Sequence, residues 1–107
     1  EKGNTVCKVR ELAEAQAIVL IVAAREASLV LFCTPVDRIA DDVLRAARVA
    51  SAETLLTDAG SVKEPICSRL DRELSQGINF VGGHPLAGSE KQGFAHALPD
   101  LFRDRVC

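Results

Sequence analysis

The sequence contains no methionine, tryptophan or tyrosine, and its aromatic side chains are four phenylalanines. Because it has no initiator methionine, we expect these 107 residues to be part of a longer protein. The first residues are charged and polar, which predicts no secretory signal. The longest apolar run, residues 17–24, is far below the ~20 residues that a membrane-spanning helix needs. We therefore expect no membrane partner. A net charge of −2 with both signs interspersed gives no reason to expect a nucleic-acid partner.

Close-spaced metal ligands are also missing. The four cysteines lie far apart, with no Cys-x-x-Cys pair of the kind that marks a zinc site. We therefore expect no metal, and we expect the cysteines to be reduced packing residues in a cytoplasmic protein: Cys7, Cys33, Cys67 and Cys107.

Neither of the usual phosphate-binding glycine patterns is present. No G-x-G-x-x-G fingerprint and no P-loop occurs, although the chain has seven glycines. The glycine patterns alone therefore do not decide whether the protein binds a nucleotide cofactor.

From residue 29 onwards, apolar strands alternate with amphipathic helices. Strands are predicted at 29–33, 54–58 and 78–81. The first of these is apolar at every position, which is typical of a strand covered on both faces. Residues 1–28 are less clear, and we expect a helix followed by either a short strand or a second helix.

The first clear helix is predicted from Thr34, as N-cap, and Pro35, at the first helical position. Apolar residues then recur at spacings of three and four up to Ala47, and Asp42 is predicted on the opposite, polar face. The residues at that spacing are Val36, Ile39, Ala40, Val43, Leu44 and Ala47.

The next helix begins with a candidate capping box, in which Ser61 and Glu64 exchange hydrogen bonds. Its predicted buried stripe runs from Val62 to Leu74, and Gly77 is predicted to close it. A short helix over 95–102 and the start of another strand at 105–107 complete the prediction.

This order of elements predicts an α/β fold with a doubly wound parallel sheet, Rossmann-like, and right-handed crossovers. The carboxyl ends of parallel strands meet at one sheet edge, where ligands bind. The loops at 33–35, 58–61 and 82–93 leave that edge, so we expect a site there.

Two residues of these loops are candidates for chemistry. His84 could be a general base, since a histidine titrates near neutral pH, or it could be bonded only to loop backbone. Ser61 could face a ligand at a helix start, or it could serve only as an N-cap. His96 and Lys63 are predicted to be solvated.

The same loops resemble a known family. Residues 58–63, Asp-Ala-Gly-Ser-Val-Lys, and residues 82–91, Gly-Gly-His-Pro-Leu-Ala-Gly-Ser-Glu-Lys, look like the prephenate and arogenate dehydrogenases. Residues 31–36 and 97–102 fit the neighbouring segments. The resemblance covers roughly residues 28–107, and residues 1–27 match poorly.

The resemblance implies oxidative decarboxylation of prephenate to 4-hydroxyphenylpyruvate, with hydride transfer to NAD or NADP. The family's catalytic histidine falls on His84, and its serine for the substrate hydroxyl and the nicotinamide falls on Ser61. The remaining site positions are a substrate-binding pair, Ser89 and Glu90, and the cofactor-binding Thr34, Pro35 and Gly60, with Ser61 also among these.

The chain also departs from that family. The glycine-rich first turn and the C-terminal helical dimerisation domain, which supplies an arginine for the substrate, are both missing. We therefore expect residues 1–107 to be the second half of an NAD(P)-binding domain, inactive alone, from a homodimeric enzyme. The alternatives are another NAD(P)-dependent dehydrogenase, of arogenate or β-hydroxyacid type, and a non-catalytic Rossmann-like binding domain.

Overall fold

A computed structural model describes residues 24–88, residue 91 and residues 94–107. Residues 24–26 are helical and lead into the sheet. The elements that follow are β1 (Leu29–Phe32), α1 (Val36–Ala47), β2 (Leu55–Asp58), α2 (Glu64–Glu73), β3 (Asn79–Val81) and a 3₁₀ helix (Phe94–His96).

The strands form one parallel sheet in the order β1-β2-β3. Leu29 is paired with Leu55 and Leu55 with Asn79, so all three strands point the same way. This confirms the predicted parallel α/β fold. Each predicted strand is one residue too long at one end.

Helices α1 and α2 cover one face of the sheet and form a single core with it. Every second strand residue, including Phe32 and Leu56, faces these helices. Burying each such side chain contributes about 1.5–3 kcal/mol. The fully or nearly fully buried apolar residues are Ala24, Phe32, Ile39, Ala40, Val43, Ala46, Leu56, Ile66 and Leu70.

The opposite face of the sheet is apolar but exposed. Leu29 is 55% exposed, Leu31 52% and Val81 60%. The expectation that β1 is covered on both faces is therefore wrong for the described residues, because β1 packs against helices on one face only. We call the residues Leu29, Leu31, Leu55 and Val81 the open face.

The start of α1 differs from the prediction. The helix begins at Val36, Pro35 directly precedes it with an extended ψ of 142°, and no side chain caps it. The N-cap is therefore Pro35 and not Thr34, because the extended ψ of Pro35 starts the helix one residue later than predicted. Asp42, predicted on the polar face, is 5% exposed and lies on the buried side.

The predicted capping box of α2 is also absent. The helix begins at Glu64, and the side chain of Glu64 accepts a hydrogen bond from Ser68, at 3.1 Å, instead of reaching back to Ser61. Val62 precedes the helix and is 45% exposed. Pro65 lies in the first turn of this helix, where its missing amide donor costs least.

The chain leaves α2 earlier than predicted. The helix ends at Glu73, and Gly77 lies in the turn before β3. Its φ of +88° is a conformation that glycine adopts without strain.

The C-terminal part carries less regular structure than predicted. Beyond the 3₁₀ helix the chain forms turns up to residue 104, where a helix over 95–102 was predicted. Residues 105–107 are not a strand: Val106 accepts a hydrogen bond from the Leu86 amide, at 2.8 Å, but no ladder follows.

Three cysteines lie in the described part, and all are free: Cys33, Cys67 and Cys107. Cys33 and Cys107 are exposed, so the expectation of packing residues is wrong for these two, and Cys7 lies outside the described residues. None of the helices within the described ranges is long and apolar enough to cross a membrane.

Candidate active site

Three loops leave the carboxyl ends of the strands at one edge of the sheet, where parallel α/β folds bind ligands. The second loop is joined to the end of β1 by a hydrogen bond from the Ala59 amide to the Phe32 carbonyl, at 3.0 Å. β2 and β3 are joined by the Thr57 hydroxyl, which donates to the Val81 carbonyl at 2.7 Å.

Asp58, the last residue of β2, connects the second and third loops. Its Oδ2 accepts a hydrogen bond from the Gly60 amide, at 2.9 Å, and forms an ion pair with Lys63. Its Oδ1 accepts a hydrogen bond from the Gly83 amide, at 3.2 Å. The side chain of Asp58 is fully buried, whereas that of Lys63 is 26% exposed. One buried carboxylate therefore binds backbone from both loops.

The glycines at this edge allow the backbone segments to approach closely. A Cβ on Gly83 would lie 2.5 Å from the Asp58 carbonyl oxygen, and one on Gly60 would lie 2.7 Å from Ile39 Cδ1. A Cβ on Gly82 would lie 2.7 Å from Cys67 Sγ. These distances are shorter than van der Waals contact, so a side chain at any of the three positions would displace a neighbour.

Ser61 and His84 directly follow Gly60 and Gly83, the two glycines whose amides donate hydrogen bonds to the Asp58 carboxylate. His84 is half-buried and Ser61 is exposed. Sequence reasoning placed both residues at this edge, and the structure brings the loops that carry them to one carboxylate. Ser89 and Glu90, the predicted substrate-binding pair, lie outside the described residues.

Thr34 and Pro35 lie in the first loop. Thr34 is half-buried, and its hydroxyl oxygen is enclosed with no hydrogen-bond partner in the structure described. Pro35 is exposed, and its carbonyl accepts a hydrogen bond from the Arg38 amide at 2.8 Å. This hydroxyl is therefore an unsatisfied polar group at the sheet edge.

Cys33 begins the same loop. Partial burial of its thiol, and then the negative charge of Asp58, raise the pKa of that thiol above its ordinary value. A raised pKa leaves less thiolate near neutral pH, which makes Cys33 a poor nucleophile.

A shallow apolar hollow of about 180 Å³ lies where this edge meets the open face. Arg105 is the one charged residue that lines it. The others are Leu31, Ala59, Pro85, Phe102, Val106 and Cys107. Across residues 24–88, 91 and 94–107, no group of three metal-ligating side chains occurs.

Sequence reasoning missed the role of Asp58 and was wrong about Lys63, which is paired with Asp58 instead of being freely solvated. A signal was present: Asp58 is an acidic residue at the carboxyl end of an otherwise apolar strand, directly before a glycine-containing turn. Its partner amide at Gly83 is 25 residues away, so no local motif contains the contact.

A family model described as "Prephenate dehydrogenase, nucleotide-binding domain" matches residues 5–107. The chain belongs to this family. The match begins well before residue 28, so the expectation that residues 1–27 match poorly is wrong. The Rossmann-like α/β fold predicted from the sequence is the fold of this prephenate dehydrogenase domain.

Curated relatives carry the same name or a related one. The chain is 38% identical over 85 residues to the prephenate dehydrogenase of Bacillus subtilis, covering 78% of this chain and 23% of that protein. It is 32% identical over 110 residues to that of Lactococcus lactis, covering 95% and 31%. A cyclohexadienyl dehydrogenase of Zymomonas mobilis is 37% identical over 82 residues, covering 77% and 28%.

A solved structure agrees in fold. Prephenate dehydrogenase from Aquifex aeolicus superposes with a TM-score of 0.68 at 30% identity, over 81% of this chain and 31% of that one. The chain thus spans between about a quarter and a third of the length of these prephenate dehydrogenase relatives.

Proposed function

We propose that this chain is part of a longer cytoplasmic enzyme that converts prephenate to 4-hydroxyphenylpyruvate by oxidative decarboxylation, with NAD or NADP as hydride acceptor. Residues 1–107 would form part of its NAD(P)-binding domain, and the full-length enzyme would be a homodimer of the tyrosine pathway.

One observation carries this proposal beyond family membership. The Asp58 carboxylate accepts amide hydrogen bonds from Gly60 and Gly83, at 2.9 and 3.2 Å. Ser61 and His84 directly follow these two glycines. The proposal requires Ser61 and His84 to contact the same hydroxyl of the substrate. The loops that carry them are both hydrogen-bonded to the buried Asp58 carboxylate, which supports this requirement.

In this proposal His84 accepts the proton of the ring hydroxyl while the hydrogen on the same carbon leaves as hydride. Loss of the ring carboxylate as CO₂ then returns the electron pair of the broken carbon–carbon bond to the ring, which becomes aromatic. His84 returns its proton to the phenolate oxygen, so that no net proton is consumed. Ser61 orients the hydroxyl, and general-base help of this kind is typically worth about 10²–10⁴ in rate.

The residues present fit a dinucleotide at this edge. The Thr34 hydroxyl has no hydrogen-bond partner within the described structure, and Ser61, which directly follows the buried Gly60, is exposed at the same edge. Thr34, Pro35, Gly60 and Ser61 would hold the cofactor, and Ser89 and Glu90 would line the substrate entrance. When bound, the nicotinamide would supply the hydride acceptor.

A second substrate has support from one relative. The Zymomonas mobilis protein is named a cyclohexadienyl dehydrogenase, a ring class that includes both prephenate and arogenate. Assaying the full-length protein with each substrate, and with NAD and NADP separately, identifies the preferred pair by its kcat/KM.

The proposal is tested by His84→Asn in the full-length protein. We expect kcat for prephenate, followed as NAD(P)H formation, to fall about 10²–10⁴-fold, because the hydroxyl proton has lost its acceptor. Cofactor affinity, measured by titration, is expected to stay near the unmodified value.

His96→Asn is the matched control, since His96 is exposed in the 3₁₀ helix and has no role in the proposal. We expect this variant to keep its activity. An unchanged kcat in His84→Asn would remove His84 from the mechanism.

A further inference from the structure

Asp58 joins two loops that local sequence motifs treat as separate. We propose that Asp58 is a positioning residue for the reaction: its buried carboxylate sets where His84 lies relative to Ser61, without touching substrate. This inference rests on the proposed function, because it assigns to Asp58 an effect that acts through His84.

The first support is the completeness of the contacts. Both oxygens of Asp58 are used, Oδ2 by the Gly60 amide and Lys63, and Oδ1 by the Gly83 amide. Hydrogen bonds to an ionised carboxylate are roughly twice as strong as neutral ones. A fully buried carboxylate with three donors therefore fixes all three groups relative to β2.

The second support is the short path from these amides to the proposed site. Gly60 and Gly83 are each one residue from the side chain in question, Ser61 and His84. A peptide unit is planar, so fixing the Gly83 amide fixes the Gly82–Gly83 peptide plane and leaves only the two dihedral angles of Gly83 between that plane and the peptide unit of His84. Pro85, on the other side, restricts the backbone of His84 further.

The third support is the lack of free space around the held backbone. A Cβ on Gly83 would lie 2.5 Å from the Asp58 carbonyl oxygen and 3.2 Å from the Thr57 hydroxyl. The loop therefore rests directly on the end of β2, and it cannot move closer if the carboxylate is altered. Loss of the carboxylate would release it outwards.

Asp58→Asn tests the inference in the full-length protein, because an amide can accept fewer of these hydrogen bonds and presents N–H groups to donors. We expect kcat to fall about 10–100-fold. A fall alone would also follow from general damage, so the variant is compared in two backgrounds, with His84 and with His84→Asn.

A positioning role predicts strong coupling between the two changes. Residues that act as a unit are non-additive. Once His84 is Asn, we expect Asp58→Asn to lower kcat less than about threefold further, since the general base that Asp58 positions is then absent. Fold losses that multiply across the two backgrounds, or an Asp58→Asn variant with full activity, would overturn the inference.

The cycle separates this inference from the proposed function. If the unmodified full-length protein does not convert prephenate, the proposed function fails. If His84→Asn alone leaves kcat unchanged, the proposed role of His84 fails, and the positioning role fails with it. If His84→Asn lowers kcat as expected while the losses multiply, only the positioning role fails. Thr57→Val is the matched control: it removes a β2–β3 hydrogen bond but keeps the carboxylate, and we expect less than a threefold loss.

A second variant covers the case in which Asp58→Asn does not fold. Gly83→Ala keeps Asp58 and Lys63 but displaces the same amide, and it should show the same coupling to His84. If neither variant folds, amide exchange in the unmodified protein decides. Gly60 and Gly83 amides at least tenfold slower than unfolded-chain rates support the inference, and exchange at unfolded-chain rates overturns it.

Discussion

Gly82 lies against the side chain of Cys67, which projects from α2 towards the third loop. A Cβ at Gly82 would be 2.7 Å from Cys67 Sγ. We expect Gly82→Ala to lower the free energy of unfolding by about 1–3 kcal/mol, the usual cost of overpacking. In a Cys67→Ala background the sulfur is gone, so most of that cost should disappear.

Denaturant unfolding of the two single variants and the double variant measures this coupling. Equal costs of Gly82→Ala with and without Cys67 would show that backbone conformation, not the sulfur, excludes a side chain at position 82. Cys33→Ala is a suitable comparison, because no contact between Gly82 and Cys33 is among the close approaches at that glycine.

Residues whose contacts lie in another loop, such as Asp58 and Cys67, limit how much of the site can be predicted from the sequence. His84, Ser61 and the glycines were recognisable as loop residues at one sheet edge, because strand order alone places them there. The contacts of Asp58 and Cys67 were not, because their partners, Gly83 and Gly82, belong to another loop. Such pairings depend on the register between strands, which local patterns do not contain.

Helix α1 carries a buried carboxylate that its own interactions do not satisfy. Asp42 is 5% exposed, its Oδ2 has no hydrogen-bond partner in the described structure, and Arg45 approaches Oδ1 only to 3.9 Å. A buried polar atom without a partner costs about 1–3 kcal/mol. We expect Asp42→Ala to raise the free energy of unfolding by about 1 kcal/mol, helped by the higher helix propensity of alanine.

Asp37→Ala is the control for this change, because Asp37 is an exposed carboxylate in the first turn of the same helix. It should bring no gain, since it removes a favourable charge at the helix N-terminus. Denaturant unfolding measures both variants. A lower free energy of unfolding in Asp42→Ala would show that the Asp42 carboxylate makes a stabilising interaction.

At the level of elements, the order of strands and helices could be predicted and their ends could not. Alternating apolar segments locate β1, α1, β2, α2 and β3 within one to a few residues. The helix starts failed because the caps were assigned from local motifs. At α2, the Asp58 carboxylate binds both Gly60 and Lys63, which keeps the intervening residues in a loop and leaves Ser61 outside the helix.

The whole chain lacks the glycine fingerprint with which dinucleotide-binding domains approach the pyrophosphate. We expect the 107-residue chain by itself to bind NAD weakly, with no saturation at micromolar concentrations in a calorimetric or fluorescence titration. Micromolar binding would show that the loops at 33–35, 59–61 and 82–88 suffice for the cofactor.

The anchoring of two loops by one carboxylate also has a consequence for how this site can change. Positions 58, 60, 82 and 83 form a frame in which each residue is restricted by backbone contact or by the buried charge. Val62 and Leu86, in the same loops, are 45% and 61% exposed. Ligand preference can therefore change through substitutions at these two exposed positions. A mutant library that varies Val62 and Leu86 and keeps the frame would present new surfaces on an unchanged backbone.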